Sequence, residues 1–229
     1  MTKCIGIISY FPNNDKQRSV RKNRFLNLIN VLNTYFKLPI VIIAQNWDKN
    51  DFILNYCNTI TIYSYNHGLG ITKARYILRE KLLKLDYDYF IFLDDDSDIK
   101  CTQRGVDNYL KEIDMHEGMV GRFNNDLPRL LAISKQMLIL MDYEFIKDKE
   151  ASRGEIWEDF VYLSTYRRLY PDKFYMFSKK DIKEVSPVSR GDEFSTWYKK
   201  EFGNESQIGT KSRQIINKWV EYKRSYKRR

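Results

Sequence analysis

Four aspartates stand within five residues at Asp94-Asp95-Asp96-Ser97-Asp98, directly after the apolar run YDYFIFL (Tyr87 to Leu93). Carboxylates this close repel one another, and the repulsion destabilises the chain unless a cation neutralises it. Hard oxygen donors suit Mn²⁺ or Mg²⁺, which take one or two protein carboxylates and complete their shell with water and phosphate. A metal held in this way bridges the two phosphates of a nucleoside diphosphate and stabilises the charge that develops as it leaves. The plainer reading is a solvated acidic turn without a ligand; the strongly apolar strand in front of the cluster favours the ligand site.

Such a cluster needs a strand that ends at it and other strands beside that one. Cys4 to Tyr10 (CIGIISY) reads as a first buried strand, followed by the turn residues FPNND. From Arg18 to Phe36 the apolar residues Phe25, Leu28, Ile29, Leu32 and Phe36 recur at helical spacing. Pro39 precedes IVIIA, a second buried strand, and the β-branched, alternating segment Asn58 to Tyr65 gives a third. After Gly68 and Gly70, the residues Ile71, Ala74, Leu78, Leu82 and Leu85 form the stripe of a second helix that leads to the fourth strand. The order β-α-β-β-α-β predicts an α/β fold, a mostly parallel sheet with helices on both faces. Ligands of such sheets bind outside the carboxyl ends of the strands, where the aspartates lie. Further on, the pattern predicts a helix over Val106 to Ile113 and strands at Met119 to Phe123 and Leu130 to Ile133. A helix over Glu155 to Leu169, a strand at Lys173 to Phe177 and a last amphipathic helix carrying Ile215, Ile216, Trp219 and Tyr222 complete it.

Two segments in order, NHGLGITKAR (Asn66 to Arg75) and FLDDDSD (Phe92 to Asp98), resemble the donor half of GT-A glycosyltransferases. The likeness is to the large inverting glycosyltransferase family 2, over roughly residues 3 to 165. It implies a GT-A, Rossmann-like sheet and metal-dependent transfer of a hexosyl group from a nucleotide sugar, a UDP-sugar in the first place, to an acceptor hydroxyl. By the same resemblance Asp94 approaches the ribose and Asp96 is the principal metal ligand, with Asp94 beside it. Asp95 and Asp98 are substitutes, because consecutive aspartates leave the register open. Ser9 and Tyr10 fall where the family holds the nucleoside, and Arg75 falls near its phosphates; the plainer reading of Arg75 is a surface helix arginine paired with Asp or Glu. The chain departs from the family at Gln45-Asn46, where an acidic residue often contacts the base; an amide can still pair with a pyrimidine edge. An inverting transfer also needs a carboxylate to take the acceptor proton. The segment Glu155-Ile156-Trp157-Glu158-Asp159 resembles the family's source of it, with Asp159 as general base and Glu158 in support. A structural helix start, where the dipole favours acids, is the alternative. Asp126 in FNNDLP is the reserve base, and Trp157 is either a wall of the acceptor cleft or core. His67 and His116 are ordinary hydrogen-bonded histidines or a third metal ligand.

The 229 residues hold one α/β domain with a sizeable core and are too few for two. No repeat or composition shift marks a second one, so a single domain over 1–210 and a basic helical tail over 211–229 are expected. Gly and Pro are scarce, which argues against disorder and flexible linkers. Cys4, Cys57 and Cys101 are far apart and odd in number, giving neither a disulfide framework nor a zinc site. With no apolar run of signal or membrane-spanning length, a cytoplasmic protein is expected, peripheral at a membrane or phage-encoded in the host cytoplasm. From Lys211 on, eight cations face Glu221 alone, which is +7 of the formal +9. With Trp219, Tyr222 and Tyr226 interleaved, this tail is a surface for nucleic acid or an anionic membrane, or a solvated helix docked by its apolar residues. The acceptor is correspondingly a glycan or cell-surface precursor, or a hydroxymethylated base in phage DNA.

Competing chemistries fit less well. A nucleotidyltransferase would show a Gly-rich basic loop after the first strand, where SYFPNND stands. A haloacid dehalogenase-type phosphatase would have Thr or Val where Asp98 is. A dinucleotide fingerprint lacks its third glycine, since residue 73 is Lys. The non-enzymatic alternative is a basic nucleic-acid-binding module whose acidic cluster is structural.

Overall fold

The computed structural model describes residues 1–13, 15–48, 60–95, 97–124, 127–141, 158–177, 181–185 and 205–226. The apolar runs become strands as their composition predicts: β1 (Lys3–Tyr10), β2 (Ile40–Gln45), β3 (Ile60–Tyr65) and β4 (Tyr89–Asp94). These four are parallel to one another, β1 lying between β2 and β4 with β3 beyond β2. Next come β5 (Asp98–Cys101), β6 (Met119–Asn124), β7 (Leu127–Ser134), β8 (Phe174–Met176) and β9 (Ile182–Val185). Among the described residues seven strands form one sheet in the order β3-β2-β1-β4-β7-β6-β8, and β5 pairs with β9 as a separate ribbon. β7 enters antiparallel to β4 and to β6, while β8 is again parallel to β6. The sheet is thus mostly parallel, as the βα alternation requires, with β7 as the reversal.

Because β1, β2 and β4 are buried on both faces, their side chains supply two cores. On one side lie α1 (Asp15–Val31) and α3 (Gln103–Met115), through Phe25, Leu28, Ile29, Val106, Tyr109 and Ile113. On the other lie α2 (Ile71–Leu83), α4 (Lys135–Leu140), α5 (Glu158–Leu169) and α6 (Glu205–Tyr226). Each fully buried Leu, Ile or Phe contributes about 1.5–3 kcal/mol relative to exposure. The first helix begins three residues before Arg18 and changes at Leu32 into a π-helical turn (Leu32–Phe36), which Lys37 closes at φ 53° by donating its N–H to Leu32 O. Polar caps fix the later helices: Thr102 Oγ1 accepts from Gly105 N–H at 3.1 Å, and Ser134 Oγ from Met137 N–H at 3.2 Å.

The basic segment from Lys211 is the larger part of α6, which docks on α5 by Ser212, Ile215, Ile216 and Val220, all buried. Arg168 of α5 donates to Asn217 Oδ1 at 2.7 Å across this contact. Lys211, Arg213, Lys218 and Arg224 are exposed. No described helix is long and apolar enough to cross a membrane.

Candidate active site

The parallel strands end on one edge of the sheet. Register places Tyr10 beside Gln45 and Gln45 beside Tyr65, while Asp94 sits opposite Ile8 on the other side of β1. The chain leaves β1 toward β2 on one side, and β4 lies on the other. The gap above β1 and β4 is therefore a topological switch point, the place where open α/β sheets bind ligands. Asp94, the last residue of β4, lies at this edge.

The members of the acidic cluster have different fates. Asp95 is 1% exposed and points inward. Ser9 Oγ donates to its Oδ2 at 2.8 Å, and the Tyr10 N–H donates to the same oxygen at 3.0 Å. Arg21, reaching in from α1, donates from Nη2 to Oδ1 at 2.6 Å and from Nε to Oδ2 at 3.1 Å, a two-point grip on the carboxylate. Ser9 Oγ in turn accepts from Trp47 Nε1–H at 3.1 Å. Breaking a buried ion pair by removing one partner costs about 3–5 kcal/mol, toward the lower end here because the Arg21 side chain is 35% exposed. Ser9 and Asp95, both among the residues expected at the nucleotide, are joined to each other here, because the second aspartate of the run turns back toward the end of β1.

Asp94 faces the other way. Its carboxylate is about a third exposed and meets Arg75 Nη2 at 3.3 Å, a long contact. Asp94 N–H donates to Ser97 Oγ at 3.3 Å, and Ser97 N–H to Asp94 O at 3.1 Å, which closes the turn over residues 94–97. Arg75 stands on the first turns of α2, whose cap is Gly70 at φ 78°, a conformation a side chain would strain. Gln45, 3% exposed, accepts from Leu69 N–H at 2.8 Å through Oε1, so its carbonyl holds the glycine turn. A Cβ on Gly68 would lie 3.2 Å from Tyr10 Cε2, so one edge of the Tyr10 ring packs against this turn, with 38% of the residue exposed. Asn46, at φ 58°, donates to Phe11 O at 2.8 Å and so closes the same edge beside Trp47, which stacks on Phe11 at 5.0 Å.

Asp98 begins β5 on the exposed side and pairs with Lys100 at 3.0 Å, so its carboxylate already has a cation. His116 stacks on Tyr175 and lies 3.4 Å from Glu112, the ordinary histidine of the two readings. His67 is exposed in the glycine turn. Asp96, Asp126, Glu155 and Trp157 lie outside the described residues, as do Cys57, Asn58 and Lys227 to Arg229. Glu158 and Asp159 open α5, and their side chains are likewise outside the description. Among the described residues no three acidic, His or Cys side chains converge as a metal site. Sequence reasoning missed Arg21, although a signal was present. Arg21 precedes Phe25, Leu28 and Leu32 at i, i+4, i+7 and i+11, which puts a cation on the buried stripe of α1.

No protein-family model and no curated protein matches the sequence. Solved structures do resemble the fold. S. aureus TarS 1–349 is 12% identical with a TM-score of 0.52 over 80% of this chain and 59% of that one. The same protein in complex with UDP gives 0.55 at 12% identity over 96% of this chain and 71% of that one. A structure from Desulfovibrio desulfuricans G20, assigned as a nucleotide-diphospho-sugar transferase, gives 0.54 at 12% identity over 96% of this chain and 99% of that one. The chain thus spans about three fifths of TarS 1–349 and nearly all of the Desulfovibrio protein. At these identities the likeness is one of fold alone, a GT-A-like α/β architecture.

Proposed function

We propose that the chain is a metal-dependent glycosyltransferase that moves a hexosyl group from a nucleoside-diphosphate sugar, a UDP-sugar in the first place, to an acceptor hydroxyl. The observation that carries this reading is the pairing of Asp94 with Arg75 at the switch point between β1 and β4. A carboxylate and a guanidinium stand side by side where the sheet offers its crevice, and neither is bound tightly to the other. The fold adds support, and TarS, which shares it, has been solved with UDP.

In this reading the open face of Tyr10 receives the nucleobase beside the turn that Gln45 and Gly68 hold in place. Arg75 swings from Asp94 to the diphosphate, where its fork fits phosphate oxygens. Asp94 is then released toward the ribose hydroxyls or a cation. The donor set fits Mn²⁺ or Mg²⁺ held by Asp94 and its sequence neighbour Asp96, hard oxygens in the number such ions use. Bound there, the ion would neutralise charge on the departing diphosphate. Asp95 and Asp98 are left out of that set because Arg21 and Lys100 already answer their charge. At the start of α5, Asp159, supported by Glu158, takes the acceptor proton as the sugar is attacked with inversion. The exposed cations of α6 support an anionic acceptor, either a glycan precursor at a membrane surface or DNA. Retention on DNA against anionic vesicles, and the salt slope of each, separates the two.

The test is release of nucleoside diphosphate from a panel of nucleotide sugars, with Mn²⁺ and with EDTA, in wild type, Asp94→Asn, Asp96→Ala and Asp159→Asn. Turnover that needs the metal and nearly vanishes in Asp96→Ala, with the protein still folded, supports the proposal. Full turnover by Asp96→Ala rejects it.

A further inference from the structure

We infer that Arg21 is a positioning residue of this site: it holds Asp95, and through Asp95 it aims the Asp94 carboxylate next to it. The inference rests on the reading of Asp94 and Asp96 as the metal–diphosphate edge. It starts, however, from a feature that reading does not use, a buried charged group at the centre of the cluster.

Asp95 is fixed from three directions. Arg21 grips both its oxygens from α1, Ser9 and the Tyr10 N–H hold Oδ2 from the end of β1, and Trp47, just past β2, steadies Ser9. The Asp95 N–H also donates to Ile8 O at 3.2 Å, so main chain and side chain are both anchored to β1. With Asp95 anchored to β1 and α1, the end of β4 is pinned, and Asp94 is held outward beside Arg75. The network has an electrostatic consequence too. Adjacent carboxylates compete for any cation that arrives. Arg21 neutralises the inward one, so the outward charge is left for the ligand. A guanidinium suits this task better than an ammonium, because the two-point grip fixes direction as well as charge.

The variants Arg21→Ala, Arg21→Lys and Trp47→Phe separate positioning from stability. Trp47→Phe removes the Nε1–H donor to Ser9 and keeps a ring to stack on Phe11, so it probes the same chain of contacts gently. The probe is Mn²⁺ with UDP, followed by titration calorimetry and by the EPR signal of free Mn²⁺, well below each variant's Tm. Outer residues that orient metal ligands typically alter affinity about 10- to 100-fold. Arg21→Ala is expected to weaken Mn²⁺·UDP binding within that range, Arg21→Lys to recover part of it, and Trp47→Phe to show a smaller loss. Wherever turnover is measurable, KM for the acceptor should stay at its wild-type value. A merely structural Arg21 would lower Tm and leave the affinity unchanged in every folded variant, and that result overturns the inference while the functional reading stands. If Arg21→Ala does not fold, Arg21→Lys and Trp47→Phe decide by the same criterion. Wild type that fails to bind Mn²⁺·UDP overturns both.

Discussion

Arg75→Ala separates what the Arg75–Asp94 contact gives the fold from what it gives the reaction. The pair is 3.3 Å apart, with the two side chains 19% and 34% exposed. Partly solvated pairs of this kind contribute about 0.2–1 kcal/mol. Alanine is also the best helix former, so α2 keeps its backbone. For a chain of this size 1 kcal/mol moves Tm by about 2–4 °C, and the variant should therefore melt within about 4 °C of wild type. The same guanidinium against a diphosphate makes hydrogen bonds to charge, about 1.5–3 kcal/mol in total. That corresponds to a loss of roughly 10- to 150-fold in kcat/KM for the nucleotide sugar. Calorimetric melting and initial-rate kinetics on one preparation give both numbers. A fall in Tm well beyond 4 °C with kcat/KM preserved would refute the reasoning, because Arg75 would then be a structural partner of Asp94 and nothing more.

Other perturbations probe the surrounding structure. Gly68→Val places a side chain where a Cβ is already 3.2 Å from the Tyr10 ring. Displacing a stacking face worth about 1–3 kcal/mol should raise KM for the nucleotide sugar by roughly 5- to 150-fold in steady-state assays, with Tm little changed. Ile216→Ala empties a fully buried position on the inner face of α6 and should cost about 2–4 kcal/mol, seen as a lower urea midpoint at constant m-value. Burial pushes the Cys4 thiol from 9.0 up to about 12. Below pH 9 the folded and unfolded thiols are both protonated and contribute no pH dependence. Above it only the unfolded chain ionises there, so stability falls as pH rises toward 12, by at most about 1.4 kcal/mol per unit. Denaturation series at pH 8, 9 and 10 should show wild type losing more between pH 9 and 10 than Cys4→Ala does. An equal loss would mean the thiol is not buried.

In the parallel half of the sheet, β1, β2 and β4 were legible because they are buried on both faces, and the exposed edge strand β3 by its β-branched alternation. CIGIISY, IVIIA and YFIFL leave no other use for so many adjacent apolar residues. The helices read well wherever one face is apolar, as with Ala74, Leu78 and Leu82. What escaped were the short elements. β5 (DIKC) and β9 (IKEV) have too few residues to show a period, and they exist because they pair with each other across a long stretch of chain. α4 (KQMLIL) hides in an unbroken apolar run, where helix and strand look alike. At the candidate site, residue types were readable and orientations were not. Asp94 and Asp95 are chemically identical, and only the alternation at the end of β4, with Arg21 waiting on one side, decides which faces the crevice. Ser9 and Gln45 were found at the right edge of the sheet for the same reason, but their hydrogen-bond partners, Asp95 and Leu69, come from distant segments that no local pattern reveals.

The most direct measurement is a crystal structure of the full chain grown with UDP and Mn²⁺, with the metal located by its anomalous scattering. The account predicts one Mn²⁺ at the carboxyl end of β4, about 2.0–2.2 Å from oxygens of Asp94 or Asp96 and of the diphosphate, with Arg75 turned to a phosphate and Asp95 still held by Arg21. A diphosphate bound elsewhere, or a metal whose protein ligands exclude both Asp94 and Asp96, would contradict it.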